Sequence, residues 1–299
     1  MLSITLAKSH PQIHFFSVIF CFLSVIAIGL VPAQAVDTGS VCESESLKPY
    51  LIIATDEGSI EIELFERAAH KTIRRLIALV EGPIFNQDLI ENKDDAQPIG
   101  FYDGLTFDYI KPHLEISTSE RNPAGLFQLD TEIDADALGL NRKVIKNRAD
   151  AMSVMQRELL AAYRKVKKRG KVSAQLGLWI KKFHEDYNPD FLIGVSRKQI
   201  NQALGYVYKT GLESKPVVKG SVALRPVSPR ISSARLTIML EDWPQRTGKW
   251  MVIGRVIKGL DLADTFSVQP LVTATHIKPQ GYTPLYPVRI KTIKWSCRD

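Results

Sequence analysis

The apolar and polar positions near residue 50 predict a β-hairpin followed by a helix. Residues 51–55 are apolar or β-branched, as in a buried strand, and residues 59–65 alternate between polar and apolar, as in a half-exposed strand. Between them, residues 56–58 read Asp-Glu-Gly and favour a turn. Over residues 67–80 the apolar side chains recur at helical spacing, and Gly82 is expected to end this helix.

Residues 142–216 have helical periodicity, and strand patterns return only after Gly220. Ser196 and Gln199 have the spacing of a capping box at a helix start. The apolar positions predict two or three helices, with buried faces formed by Met152, Met155, Leu159, Leu160, Tyr163 and Val166, by Leu176, Trp179, Ile180 and Phe183, and by Ile200, Leu204 and Val207. We therefore expect a helical insertion that packs beside a β domain.

The chain has 299 residues and a formal net charge of +7, and its basic residues concentrate in the same stretch. Residues 141–219 contain 18 Lys and Arg against 6 Asp and Glu. A basic block of this kind predicts docking to an acidic protein or to an anionic membrane surface, and a solvated helix face is the alternative. The 6 His residues are scattered singly, so we expect no metal site.

The first 35 residues have the pattern of a secretory signal peptide. Lys8 precedes an apolar run over residues 15–31, which ends in Pro-Ala-Gln-Ala at residues 32–35. This pattern predicts cleavage after Ala35 and export to a periplasm or lumen, and an uncleaved membrane anchor is the alternative. An exported protein is not expected to bind nucleic acid.

Three motifs outside the insertion resemble the cyclophilin-type peptidyl-prolyl cis-trans isomerases. Residues 101–112 keep the Tyr-Asp-Gly-Leu, Phe and Pro of that family's central strand, and residues 247–261 keep its glycine spacing. Residues 287–290 are similar to its closing strand. The resemblance implies a mainly β fold with helices, built on a closed eight-stranded antiparallel β-barrel. The cyclophilin-like domain would span residues 48–296, interrupted by the insertion at 142–216.

The same resemblance places a peptide-binding groove at positions where this chain carries unusual residues. These positions are Tyr109, Leu114, Glu115, Ser117, Arg235, Thr237, Trp243 and Trp250. Tyr109 stands where the family has its catalytic Arg, and a tyrosine offers neither the charge nor the second donor of a guanidinium. We therefore assign no catalytic residue, and the resemblance implies neither a metal nor a cofactor. Two alternatives are open. Arg235 could swing into the groove as a substitute guanidinium, and Trp243 and Trp250 could be ordinary core or edge aromatics with no peptide-binding role.

Cys42 and Cys297 lie near opposite ends of the exported chain, which predicts a disulfide because oxidising compartments permit one. The family's closing strand lies beside its first, so the resemblance implies that the two residues are close. Two unpaired thiols are the alternative.

Taken together, these patterns predict an exported cyclophilin-like protein with a degenerate isomerase site, which binds extended or proline-containing segments of exported proteins. An active but weak isomerase is one alternative. A scaffold whose basic insertion docks an acidic partner or a membrane surface is the other.

Overall fold

A computed structural model describes residues 40–44, 46–82, 100–119, 128–168, 172–272 and 282–299. The expected signal peptide therefore lies outside the described residues. Among the helices of the described ranges, none is long and apolar enough to cross a membrane.

The described residues contain nine strands in a single antiparallel sheet. The strands are β1 (Lys48–Thr55), β2 (Ser59–Leu64), β3 (Phe107–Lys111), β4 (Glu115–Thr118), β5 (Gln128–Asp130), β6 (Ser221–Ser228), β7 (Ile231–Met239), β8 (Met251–Lys258) and β9 (Ile290–Arg298). Their order is β3-β4-β7-β6-β8-β2-β1-β9, and β5 pairs with β7. The sheet curls until Thr106, just before β3, bridges Arg289, just before β9. The expected mainly β, cyclophilin-like fold with helices is confirmed.

Helices lie against the sheet and within the insertion. They are α1 (His70–Glu81), α2 (Arg148–Val154), α3 (Leu160–Lys167), α4 (Ala174–Asp186), α5 (Arg197–Ala203) and α6 (Leu260–Ser267). A π-helical turn, Met155–Leu159, joins α2 to α3 without a break. The predicted hairpin is confirmed as β1 and β2, which pair from Tyr50 with Glu63 to Ala54 with Ser59.

Two of the three apolar clusters in the described ranges correspond to the two sequence periodicities, and the third, smaller cluster has Trp243 and Trp250 packed against it. The barrel interior buries the apolar faces of its strands with α1 and α6, whereas the insertion has its own core of helix side chains such as Met155, Ile180 and Ile200. The capping box at Ser196 is present. One expectation was wrong: Val207 is 48% exposed instead of buried, because α5 ends at Ala203, before the chain reaches it.

The chain ends are joined as expected. Cys42 and Cys297 form a disulfide, and Cys297 lies in β9 opposite Pro49 of β1. The pairing of β1 with β9 therefore brings the two cysteines together.

Glu158, in the π-helical turn, links the insertion to the barrel. It accepts hydrogen bonds from Arg197 of α5 at 2.7 Å and from Lys249, in the loop between β7 and β8, at 3.0 Å. Burial raises the pKa of Glu158, but the charges and hydrogen bonds of Lys249 and Arg197 lower it more, so the net pKa lies below its ordinary value. The carboxylate is therefore ionised at neutral pH.

Candidate functional site

Three neighbouring strands place most of the predicted site residues on one face of the sheet. Tyr109 of β3 is in register with Ser117 of β4, and Ser117 is in register with Thr237 of β7. The Ser117 and Thr237 hydroxyls are hydrogen-bonded at 2.8 Å, and both side chains are buried. Since residues two apart on a strand share a face, Glu115 and Arg235 project from this face too. We call this surface the groove face.

One end of the groove face is built around the ring of Tyr109. The guanidinium carbons of Arg225 and Arg235 each lie 5.4 Å from the centre of that ring. Arg235 also forms an ion pair with Asp108 of β3, and its buried Nε has no hydrogen-bond partner within the described ranges. A guanidinium thus reaches the position of Tyr109, but it comes from β7.

The other end of the groove face holds a guanidinium between two indole rings. The guanidinium carbon of Arg246 lies 3.4 Å from the ring centre of Trp243 and 3.8 Å from that of Trp250. Two nitrogens of Arg246 donate to the two carboxylate oxygens of Glu115, one of them at 3.1 Å. Glu115 is 1% exposed and also pairs with Lys111 at 3.3 Å. Side chains therefore fill the space beside the Ser117–Thr237 pair.

Local sequence explains how Arg246 reaches this position. Pro244 begins a short 3₁₀ turn that ends at Arg246, and proline suits the first position because its φ angle is already helical. The next turn needs Gly248, whose φ is +79°. The loop between β7 and β8 therefore presents Trp243, Arg246 and Trp250 from one short stretch of chain.

Several groove residues were missed by the sequence reasoning. They are Lys111, Arg225, Arg246 and Tyr282, and of these Arg246 had a readable signal, since it lies between the two predicted tryptophans. Tyr282 lies with its ring centre 5.4 Å from that of Tyr109. Leu114, which was predicted, lies half-buried in the turn between β3 and β4, where its carbonyl oxygen accepts a hydrogen bond from the backbone N–H of Leu240 at 2.9 Å.

Comparisons with known proteins decide the family. A family model described as "Cyclophilin type peptidyl-prolyl cis-trans isomerase/CLD" matches residues 50–294, most of the chain. The chain belongs to this cyclophilin family. No curated protein matches the chain.

Solved cyclophilin structures are similar to the chain at low sequence identity. One is a Cryptosporidium parvum cyclophilin type peptidyl-prolyl cis-trans isomerase, at 14% identity and a TM-score of 0.43, covering 84% of this chain and 99% of that one. Another structure of that isomerase, in the presence of the dipeptide Ala-Pro, has 14% identity and a TM-score of 0.41, covering 82% and 96%.

Within this cyclophilin, the groove face combines aromatic rings with paired charges. Among the residues described above, four cations (Lys111, Arg225, Arg235 and Arg246) face two carboxylates, Asp108 and Glu115. The arrangement can donate hydrogen bonds and stack on flat groups. It presents no nucleophile that is activated by a neighbouring base, so covalent catalysis is not supported by these residues.

Proposed function

We propose that this cyclophilin-family protein binds extended or proline-containing segments of exported polypeptides on the groove face and turns over prolyl bonds slowly or not at all. The observation that carries the proposal is the Glu115–Arg246 pair, with its guanidinium between Trp243 and Trp250. Glu115 stands at a position where the family resemblance expects an apolar side chain of the proline pocket, which supports binding without efficient turnover.

Catalysis would have to lower a large barrier. Rotation about a peptide bond crosses about 18–20 kcal/mol, and one preorganised donor aimed at a transition state supplies roughly 2.7–4 kcal/mol. Tyr109 carries no charge, and the guanidinium of Arg235 is engaged with Asp108. The groove face therefore lacks a free guanidinium from β3 that would stabilise a twisted amide.

Binding makes smaller demands on the same groups. Tyr282 is 43% exposed and its ring adjoins that of Tyr109, so both rings can contact the flat surfaces of a bound segment. Aromatic contacts of this kind contribute about 0.5–1.5 kcal/mol each beyond the area that they bury. Lys111 and Arg225 add donors that can bond the carbonyl oxygens of an extended chain.

Measuring binding and turnover on one protein tests the proposal. We expect the wild-type protein to bind a fluorescent Ala-Pro peptide in an anisotropy titration, while isomerisation of the same peptide stays near the uncatalysed rate. Tyr109→Arg should raise turnover at least severalfold, whereas Tyr286→Arg, at a position 69% exposed, should not. Rapid turnover by the wild-type protein would contradict the proposal.

A weak isomerase is the second candidate, and Arg235 is the observation that favours it. Its guanidinium stands over Tyr109 and its Nε is unbonded within the described ranges. If Arg235 stabilises the twisted amide, Asp108→Asn should free it and raise turnover, and Arg235→Gln should abolish turnover. Equal rates in both variants and in the wild-type protein would exclude this role.

Export and docking by the insertion complete the proposal. We propose that residues 1–35 direct export with cleavage after Ala35, which N-terminal sequencing of the secreted protein would test. The last turn of α3 carries Arg164, Lys165 and Lys167, which supports docking of the insertion to an acidic protein or an anionic membrane surface. Vesicle co-sedimentation with and without anionic lipid would separate these two partners.

A further inference from the structure

A concave site lies between the insertion and the barrel. It is a cleft of about 650 Å³, bounded by α2 and the π-helical turn on one side and by the loop between β7 and β8 on the other. Its lining includes Lys143, Arg157, Arg197 and Lys249, together with the carboxylates of Asp150 and Glu158. A volume of this size is in the range of sites that hold ligands larger than a single ion.

The cleft already holds one carboxylate in the geometry that its cations favour. Arg197 and Lys249 both donate to Glu158, at 2.7 Å and 3.0 Å. Arg157 and Lys143 are exposed and form no ion pair with any described residue. Asp150 opposes them with one negative charge, so the cleft keeps a net positive charge after its internal pairs are counted.

One loop borders both the cleft and the groove face. Pro244, Gln245 and Lys249 line the cleft, while Arg246 and Trp250 from the same loop belong to the groove face. An extended segment that leaves the groove face over this loop would enter the cleft directly. The two sites can therefore take one continuous ligand.

We infer that the cleft receives acidic side chains of the same polypeptide segment that binds the groove face, so that the preferred ligand is an extended segment with Asp or Glu beside its proline-containing part. The inference rests on the proposed function. Carboxylates fit because guanidinium and ammonium groups pair with them by charge-assisted hydrogen bonds, as they do with Glu158. A flat lipid surface cannot follow the walls of a cleft, which favours a chain over a membrane.

Three short fluorescent peptides test the inference on the full-length protein. All contain the same Ala-Pro core; one carries glutamates before it, one carries glutamates after it, and one has glutamines in place of both sets. We expect one glutamate peptide to bind about 10-fold more tightly than the glutamine peptide, and we expect this gain to shrink as salt is added.

Charge reversal identifies the cleft as the source of that gain. Lys143→Glu with Arg157→Glu should remove most of the glutamate preference and leave glutamine-peptide affinity within about twofold. The matched control, Lys71→Glu with Arg75→Glu, makes the same charge change at exposed residues of α1, outside the cleft lining, and should preserve the preference.

The possible results separate the two proposals. If no peptide binds, the proposed function fails. If all three peptides bind equally, or if the control variant loses the preference as fully as the cleft variant, the groove-face proposal stands and the acidic-segment inference is overturned.

Discussion

Glu115→Gln should destabilise the protein more than any ordinary surface charge deletion. The carboxylate is 1% exposed, and the side chains of its partners Arg246 and Lys111 are 12% and 21% exposed. Removing one member of a buried ion pair typically costs about 3–5 kcal/mol, because the other charge stays desolvated without a partner.

Two features reduce the expected cost towards the lower limit. The glutamine oxygen can still accept one bond from Arg246, and the guanidinium keeps its stacking between Trp243 and Trp250, where each cation–π contact contributes about 0.5–2 kcal/mol. We therefore expect a loss of about 3 kcal/mol in the free energy of unfolding. For a domain of this size that corresponds to a decrease in melting temperature of roughly 6–12 °C.

Urea unfolding followed by circular dichroism and by tryptophan fluorescence would measure this loss. Glu61→Gln is the matched control, since Glu61 also pairs with two cations, Lys258 at 3.3 Å and Arg298 at 2.8 Å. These partners are 70% and 42% exposed, so solvent screening limits the expected loss to under about 1 kcal/mol. Equal losses in the two variants would refute the claim that a desolvated charge pair fills the groove face.

Three further predictions concern an ion pair, a glycine turn and the disulfide. Glu158→Gln should lower the free energy of unfolding by about 2 kcal/mol at pH 7. Because the folded pKa of Glu158 lies below its ordinary value of 4.5, this difference in stability from the wild-type protein should disappear as the pH falls through the folded pKa. A difference that stays constant down to pH 3 would contradict the prediction. Gly248→Ala should cost roughly 2–4 kcal/mol in urea unfolding, because an added Cβ would lie 2.2 Å from the Cδ1 of Leu140 and the φ is +79°. The control Gly194→Ala, with a φ of +84° and open space around it, should cost only about 1–2 kcal/mol. Similar costs for the two variants would exclude the clash with Leu140. Cys42→Ser should lower the free energy of unfolding by about 4–5 kcal/mol, since the disulfide closes a loop with a sequence separation of 255. A loss under about 1 kcal/mol would show that other contacts already restrain the chain ends.

Local periodicity predicted the elements whose burial follows one simple rule. In β2, buried Ile60 and Ile62 flank the half-buried Glu61, and α4 buries Leu176, Ile180 and Phe183 at helical spacing. These patterns are readable because each residue's environment depends on neighbours that are close in sequence. The curling of the sheet into a barrel is not of this kind, and it was predicted only through the family resemblance.

The ion pairs of the groove face were harder to predict because the paired residues are distant in sequence. Glu115 and Arg246 are separated by 131 positions, and Asp108 and Arg235 by 127. A single sequence records each charge but not which charge it will meet. The end of α5 was missed for a related reason, since Val207 fits the apolar spacing although the helix has already stopped.

The pairing of these charges bears on how the site should be understood. An isolated buried carboxylate at position 115 would cost several kcal/mol, and a guanidinium at position 235 would replace a neutral side chain of the resembled family. Each is compensated on the groove face: Glu115 meets Arg246 and Lys111, and Arg235 meets Asp108. These ion pairs stabilise the folded groove face, which the proposed binding of an extended segment requires.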